Sequence, residues 1–436
     1  MDAAASIYVP YIFRCFQGFT VRDIKEFHKT QHMQIILEKS PDKISLCGKC
    51  GARLGHYHDR YKVEARHLKA FGWTASVVFF REKRHCEKCK KVRSELIEWI
   101  CPTSPHMTME LSWWINRLSE ITTVLSVSKL ESVDKMACYQ VDHYILKRLL
   151  QGYRIPDITH IAVDEVYARG PKQREKGETR DDLFLTVIVD IHTHKVIWVS
   201  NSRRKEALDQ FFEIIGKTAC EKIAVVATDQ HDGYSKSVAQ YCPNAVVVLD
   251  RFHLVKNFNE ALSEDRKDEL AKIDPEGTLG QQMGDLMNGK YRYVFLTKAC
   301  NRSTTDQKHI AYVTKLNKKM AQLEIIKEHF HKIFDAPTKL DAQVMLAEIY
   351  QWSMDIKAHG IFNWIINILK DSRFWNYFEH RFSSGVIEGI NRAIKTLKWQ
   401  AYGYKDMEYF KLKIMQKVGY LNHKFALKWM YELKTN

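Results

Sequence analysis

The sequence predicts an α/β protein of several domains, and three observations lead to this prediction. Between residues 156 and 258, apolar runs that suit buried strands alternate with amphipathic helical stretches. Two Cys-x-x-C pairs flank a strand-rich segment near the start of the chain, and residues 259–380 are mostly helical. The chain has 436 residues, of which 45% are hydrophobic. It is therefore long enough for roughly two to four domains, each with its own core.

The charge of the chain points to a nucleic-acid partner. The net charge is +15 at pH 7 and the pI is about 9.2, and a surplus of this size suits a polyanion. A basic protein without a nucleic-acid role is the alternative. The sequence shows no signal peptide and no apolar run long enough to span a membrane. We therefore expect a cytoplasmic protein with reduced cysteines and no membrane partner.

Residues 1–45 are amphipathic without a clear element, and we treat them as a separate N-terminal segment.

Residues 46–100 are predicted to form a small β zinc ribbon, because each Cys-x-x-C pair can hold one side of a tetrahedral Zn²⁺. A hairpin would absorb the long gap between the pairs. The expected ligands are Cys47, Cys50, Cys86 and Cys89. Four unrelated thiols or a redox pair are the alternatives.

Other residues near these pairs and elsewhere could also take part in metal binding. The histidines that could replace a zinc ligand are His56, His58, His67 and His85. The remaining cysteines are expected to be small core residues: Cys15, Cys101, Cys138, Cys220, Cys242 and Cys300.

Residues 105–152 are predicted to be helical. Apolar residues recur at three- and four-residue steps from Leu111 to Ile121, and two short helical stretches follow, Val133–Met136 and Asp142–Leu150. Such a segment can hold a helix-turn-helix-like DNA-binding unit, with Lys147 and Arg148 on phosphates. A plain helical linker explains the pattern almost as well.

Residues 156–258 have the element order of a ribonuclease H-like core. The predicted strands are Ile158–Val163, Leu183–Asp190, Val196–Ser200, Ile223–Thr228 and Ala245–Leu249, and the predicted helices are Arg204–Ile215 and Tyr234–Tyr241. We expect a mostly helical insertion over residues 259–380. The final helix of the core and a C-terminal tail then occupy residues 381–436.

Three carboxylates stand where a strand or helix would present them to a metal ion. Asp164 and Asp229 each end an apolar run, and Glu388 opens a helix. Such a set can hold two Mg²⁺ ions, with Mn²⁺ as a substitute, and two ions can clamp the attacking and leaving oxygens of a phosphodiester. Glu165 would point to the opposite side of its strand. Other acids look similar, and Asp250 most of all because it also ends an apolar strand: Asp181, Asp182, Asp190, Asp232 and Asp250.

The helix that begins near residue 385 has two stripes. Its apolar stripe is Ile387, Ile390, Ile394 and Leu397, and the adjoining stripe is Glu388, Asn391, Lys395 and Lys398. We expect the apolar stripe to pack on the sheet, and Asn391, Lys395 and Lys398 to contact DNA.

Two further groups of residues could contact DNA. Either Arg251 or His253, just past the fifth strand, is predicted to contact the scissile phosphate or the flanking strand; a helix-capping role for His253 is the alternative. Trp352, Trp364 and Trp375 could stack on an unpaired base, but core packing is the preferred interpretation.

Several motifs occur in a fixed order along residues 45–420. They are Ile161-Ala162-Val163-Asp164-Glu165, Asp229 with Tyr234, Pro243-Asn244-Ala245 leading to Asp250-Arg251-Phe252-His253, Ser384-Gly385-Val386-Ile387-Glu388-Gly389-Ile390-Asn391, and Ala401-Tyr402-Gly403-Tyr404. Together with the cysteine pairs, this set resembles the bacterial insertion-sequence transposases of the DDE class, in the ISL3 lineage. Family members commonly carry a basic residue where Trp399-Gln400 stands here.

The resemblance implies a ribonuclease H-like catalytic core with the acidic triad Asp164, Asp229 and Glu388. It implies a bacterial, nucleoid-associated enzyme that binds the terminal inverted repeats of its own mobile element and cuts and joins DNA. A homodimer on paired ends is expected, because two ends must be joined to target DNA. The alternatives are a DNA-binding regulator derived from an inactive transposase and a structure-selective nuclease with the same core.

Overall fold

The chain folds into two compact units that divide it differently from the predicted domains. A computed structural model describes residues 15–174, 176–229, 232–274, 276–287, 291–381 and 385–428. Unit 1 comprises Met1–Arg154 and Trp399–Asn436, and unit 2 comprises Ile155–Lys398. The segment that we predicted as residues 381–436 is thus divided after Lys398, and its last part belongs with the N-terminal half of the chain.

Unit 1 contains a β-sheet that includes much of the N-terminal segment. Its strands are β1 (Phe19–Phe27), β2 (His32–Lys39), β3 (Tyr57–Ala70), β4 (Trp73–Cys86) and β5 (Lys91–Ser94). The order is β1-β2-β4-β3, with β5 on β4. Our prediction that residues 1–45 have no clear element is wrong for these first two strands. Most of β1 is exposed, so its sequence lacks the apolar alternation of a buried strand. Residues 1–14 lie outside the described part.

Aromatic rings fill the core of this sheet. Phe79 of β4 and Phe19 of β1 both make edge contacts with Trp99, with ring centroids 4.8 and 5.4 Å apart. β3 and β4 are joined by Phe71-Gly72, which both have positive φ (51° and 83°). That is the backbone that a two-residue hairpin turn requires, and glycine adopts it without strain.

Helices follow the sheet in unit 1. They are α1 (Met109–Ile121), α2 (Val124–Glu131) and α3 (Lys135–Gly152), and their N-caps are Thr108, Thr123 and Asp134. We predicted two separate short stretches over Val133–Met136 and Asp142–Leu150, which is wrong, because α3 runs unbroken from Lys135 to Gly152. Asp142, within this helix, is completely buried and paired.

Unit 2 contains a second sheet, which is mixed. Its elements are β6 (His160–Tyr167), β7 (Phe184–Asp190), β8 (Lys195–Asn201), α4 (Lys205–Ile215), α5 (Lys217–Cys220), β9 (Val225–Thr228), α6 (Asp232–Tyr241) and β10 (Val246–Leu249). The order is β10-β9-β6-β7-β8. β7 runs antiparallel to β6 and β8, whereas β9 runs parallel to β6 and β10. The predicted strands are confirmed, but the first continues to Tyr167, so that Asp164 lies inside it and not at its end.

The rest of unit 2 is helical in its described residues. The helices are α7 (Arg251–Leu270), α8 (Thr278–Met287), α9 (Tyr291–Leu296), α10 (Thr304–Leu316), α11 (Lys318–Ile333), α12 (Lys339–Asp355), α13 (His359–Leu369), α14 (Ser372–Asn376) and α15 (Gly385–Gln400). α7 begins at Arg251 and not at residue 259, because Asp250 caps it directly after β10. Phe258 stacks on Phe330 at 3.8 Å, and Trp364 packs against both rings. Trp352 and Trp375 pack against the same core, so the core-packing interpretation of the three tryptophans is confirmed.

The chain returns to unit 1 in α16 (Met407–Val418), which packs against α1 and α3. A buried ion pair between α16 and α3 stabilises this packing. Lys413 Nζ lies 3.2 Å from Asp142 Oδ2, and these residues are 4% and 0% exposed. Asn116 of α1 donates to the other oxygen of Asp142 at 2.7 Å, and Tyr409 of α16 donates to Oδ2 at 2.5 Å. Every oxygen of the buried carboxylate is therefore satisfied by groups from other helices.

Removing the cation of this pair should strongly destabilise unit 1. In Lys413→Met, Asp142 would stay buried without its counter-charge, and losses of this kind cost about 3–5 kcal/mol. Calorimetric unfolding of the full chain would measure the change. Lys417→Met, an exposed lysine on the same helix, is the control, and an equal small effect of both variants would contradict the proposed importance of the pair.

Candidate active site

Three aspartates meet at one edge of the unit 2 sheet. Asp164 lies in β6 opposite Val187 of β7, Asp229 follows β9, and Asp250 follows β10. Because β6, β9 and β10 are parallel, their carboxyl ends point to the same edge. The Asp250 backbone N–H donates to the Thr228 carbonyl at 2.8 Å, which keeps the last two strand ends in register.

Asp164 is held by groups from two helices. The Asn391 side-chain amide of α15 donates to Asp164 Oδ2. His253 Nε2, in the first turn of α7, lies 3.6 Å from Asp164 Oδ1. Although burial lowers the pKa of His253, the carboxylate of Asp164 raises it above its usual value overall. His253 thus faces the acidic edge as a favourable counter-charge, and it does not cap the helix, since Asp250 does so.

A cleft of about 220 Å³ opens beside Asp164. Its lining residues are Asp164, Asp250, Phe252, Ile387, Glu388, Asn391, Arg392 and Lys395. Burial raises the pKa of Asp250 to about 6, and the charges of Asp164 and Asp229 add to this effect. The cleft therefore has a buried carboxyl group at Asp250, further carboxylates, and a lysine at its rim.

Glu388 lies in this cleft on the exposed side of α15. Its Oε1 accepts a bond from Arg392 at 2.9 Å, one turn further along the helix, and its side chain is 54% exposed. In the part of the chain that the structure describes, Asp164, Asp229 and Glu388 do not form a group with ligand atoms within 4.8 Å of one another. The structure thus brings Glu388 to the same cleft as Asp164, but pairs it with an arginine.

Glu165 and Asp229 interact electrostatically at this edge. Burial raises the pKa of Glu165 to about 7, and the charge of Asp229 contributes to the rise. Arg203 Nη1 lies 3.8 Å from Glu165 Oε2, on the side of the strand opposite to the Asp164 contacts. Glu165 Oε1 is buried and has no hydrogen-bond partner among the described residues. Sequence reasoning placed Glu165 away from the site, whereas its charge interacts with that of Asp229.

The other acids that resembled site residues have structural partners. Asp181 accepts from Arg203 and Asp182 from Arg204, both at 2.8 Å. Asp190 accepts from Thr193 in the β7–β8 turn at 2.6 Å, and Asp232 lies 3.5 Å from Arg373. Of the similar acids, only Asp250 lines the cleft.

Cys47, Cys50, Cys86 and Cys89 form a cluster in unit 1, with their sulfur atoms within 4.8 Å of one another. Two of the Sγ–Sγ distances are 4.0 and 3.6 Å, close to the ~3.8 Å edge of a tetrahedral zinc–thiolate site. Burial raises the pKa of Cys47, but hydrogen bonds from the Cys50 and Lys49 amides and from neighbouring thiols lower it to about 6. The cluster is therefore compatible with a zinc ribbon.

The histidines and the other cysteines have different surroundings. His67 bonds to Thr108 at 2.9 Å, and His56 stacks on His85; the metal-compatible cluster consists of cysteines. The cysteines that are buried as expected are Cys101, Cys138, Cys220 and Cys242. The expectation is wrong for Cys300, which is exposed, and only partly right for Cys15, which is half-buried.

Known proteins resemble this chain along its length. A family model described as "Transposase", for the ISL3 group of DDE transposases, matches residues 161–414, more than half of the chain. The chain belongs to this family. Membership implies an enzyme that cleaves and transfers DNA.

Two curated relatives of this transposase carry the same type of name. The transposase for insertion sequence element IS1001 of Bordetella parapertussis is 23% identical over 410 residues, covering 92% of this chain and 95% of that protein. The transposase for insertion sequence element IS1557 of Mycobacterium tuberculosis is 22% identical over 272 residues, covering 58% of each chain. These relatives support a bacterial insertion-sequence transposase.

The basic residues that we predicted to contact DNA differ in their exposure and in their contacts within the protein. In the transposase, Lys147 is exposed on α3 and Arg148 is half-buried. Lys395 is exposed at the cleft. Lys398 donates to the Tyr167 carbonyl at 3.1 Å, and the Arg251 guanidinium lies 4.8 Å from the centre of the Phe334 ring. Lys147 and Lys395 are thus the most accessible of this group.

Across the described residues of the transposase, no helix has the length and apolar character needed to cross a membrane. Sequence reasoning placed Asn391 on the same helical stripe as Glu388 but predicted a DNA contact, and it missed the bond from Asn391 to Asp164. It also missed the electrostatic interaction between Glu165 and Asp229. Both interactions depend on the packing of distant segments, which no local pattern predicts.

Proposed function

We propose that this transposase binds the terminal inverted repeats of its own insertion sequence and cleaves and joins DNA strands with two Mg²⁺ ions at Asp164, Asp229 and Glu388. The observation that carries the proposal is the bond from Asn391 to Asp164. It ties α15 to the central strand and brings Glu388 to the cleft that Asp164 lines. The strand order β10-β9-β6-β7-β8, with β7 antiparallel, supports a ribonuclease H-like core.

The residues at this edge fit a hard divalent cation. Their donor atoms are carboxylate and amide oxygens, which Mg²⁺ and Mn²⁺ prefer. Two buried oxygens, Glu165 Oε1 and Asn391 Oδ1, have no hydrogen-bond partner among the described residues. Asp250 and Glu165 have raised pKa values because of burial and neighbouring carboxylates, and a cation would relieve this repulsion.

The chemistry requires no covalent enzyme intermediate. Asp164, Asp229 and Glu388 would hold two ions, which would supply a nucleophilic water and stabilise the departing 3′ oxygen at the end of the element. The strand ladders on both sides of β6 hold Asp164 in place, and His253 fixes one of its oxygens. Lys395 offers a positive charge to the phosphate at the rim of the cleft. Glu388 can bind a metal ion only when its hydrogen bond to Arg392 is broken. The freed 3′-OH then attacks target DNA in the same cleft.

Unit 1 supplies the remaining parts of the proposal. A structural zinc ion in the four-cysteine cluster would close the ribbon, since thiolates in tetrahedral geometry suit Zn²⁺. α2 and α3 would read the duplex, with Lys147 on phosphate. We infer a homodimer on paired ends, because two ends must be joined to one target.

Loss of any one of the three acids should abolish cleavage but leave DNA binding intact. Asp164→Asn, Asp229→Asn and Glu388→Gln each remove an anionic ligand, so we expect cleavage to fall on the order of 10²–10³-fold or more. The measurement is Mg²⁺-dependent nicking of labelled DNA that carries the gene's own flanking sequence, with EDTA as the blank. Asp232→Asn, at an acid paired with Arg373, is the control. Full activity of Glu388→Gln would remove that residue from the site.

Removal of zinc should unfold the ribbon. We expect one Zn²⁺ per chain by elemental analysis, and its loss with a lower unfolding temperature in Cys86→Ser, because structural zinc contributes directly to folding free energy. Cys300→Ser changes an exposed cysteine and should retain both the metal and the stability. A metal-free wild type that is equally stable would refute the ribbon.

Lys147 should contribute one phosphate contact. Lys147→Ala is then expected to reduce the slope of log Kobs against log salt by about 1, because fewer counterions are released on binding. Lys308→Ala, at an exposed lysine of α10, serves as the control in the same filter-binding or anisotropy titration. An unchanged slope in Lys147→Ala would favour the helical-linker interpretation of this segment.

A further inference from the structure

One polar side chain of the cleft is only half satisfied. Asn391 donates from Nδ2 to Asp164 Oδ2, and it lines the cleft together with Asp164 and Glu388. Its other polar atom, Oδ1, is buried and has no hydrogen-bond partner among the described residues. Buried acceptors are normally paired, so an unpaired one beside an acidic cleft indicates a missing donor or cation.

The chemistry of the pair fixes which way the amide points. An ionised carboxylate only accepts hydrogen bonds, so the NH₂ group of Asn391 must face Asp164. Oδ1 is therefore directed away from that carboxylate. Because Asn391 follows Glu388 by three residues on α15, the two side chains share one face of the helix. Asn391 and Glu388 thus belong to the same wall of the cleft.

We propose that Asn391 is part of the metal site: its Oδ1 accepts the divalent cation, or a water bound to it, while Nδ2 orients Asp164. This inference rests on the proposed function, because it adds a fourth residue to the same metal site. It replaces the predicted role of Asn391 as a DNA contact. An amide oxygen suits the task, since it is a hard ligand that adds no negative charge to an edge already crowded with carboxylates.

A purely structural role for Asn391 would not explain why its Oδ1 is buried without a hydrogen-bond partner among the described residues. If Asn391 only joined α15 to β6, its Nδ2 bond would suffice and Oδ1 would gain nothing from being buried. A DNA contact would require an accessible polar atom, whereas the atom in question is buried. A cation held in the cleft accounts for both halves of the side chain.

The test is Mn²⁺ binding to the full-length, zinc-loaded protein, measured by electron paramagnetic resonance without DNA. Groups that orient metal ligands typically contribute 10- to 100-fold to affinity, so Asn391→Ala should bind Mn²⁺ at least about tenfold more weakly. Affinity for duplex DNA should not change. Asn367→Ala, at an exposed asparagine of α13, is the matched control. Asn391→Gln, which keeps the amide on a longer side chain, should fall between wild type and Asn391→Ala.

Asp164→Asn separates this inference from the proposed function. If Asp164→Asn loses Mn²⁺ affinity but Asn391→Ala binds like wild type, the metal site stands and our inference is overturned. If Asp164→Asn also binds like wild type, the metal site itself is wrong. Weaker DNA binding by Asn391→Ala, with unchanged Mn²⁺ affinity, would restore the DNA-contact role. Should Asn391→Ala fail to fold by circular dichroism, Asn391→Gln decides between these outcomes.

Discussion

The hydrogen-bond ladders on both sides of β6 are the constraint on which the architecture of unit 2 depends. β6 pairs antiparallel with β7 through Tyr167 and parallel with β9 through Ala162, so its backbone cannot shift without breaking one of the ladders. Successive side chains of a strand face opposite ways. Asp164 therefore meets α7 and α15, while Glu165 meets Arg203 on the other face. The helices that carry the remaining functional groups are positioned by reference to this one strand.

At the acidic edge, nearby basic side chains partly compensate the repulsion among the carboxylates. Burial raises the pKa values of Glu165 and Asp250, and the charges of Asp164 and Asp229 add to both effects. His253, Arg203 and Arg392 offset part of this repulsion. The arginine on Glu388 is a solvent-exposed partner, and such pairs contribute little to stability. Glu388 is thus only weakly restrained by its arginine partner.

Much of this architecture could be predicted, because buried strands and amphipathic helices leave a local pattern. The strands from β7 to β10 are apolar runs, and the apolar stripe of α15 shows its buried face. The failures share a physical cause. β1 is mostly exposed, and the burial of Asp142 within α3 depends on Lys413, which lies 271 residues away. The orphaned oxygen of Asn391 likewise becomes visible only when α15 and β6 are seen together.

The return of the chain to unit 1 has a consequence for how this protein is made. The buried carboxylate of α3 is neutralised by Lys413 of α16, 271 residues further along the chain. During translation, the core of the N-terminal helices can therefore close only after α16 has left the ribosome. A prematurely terminated product would keep the cysteine pairs and α3 but lack that counter-charge.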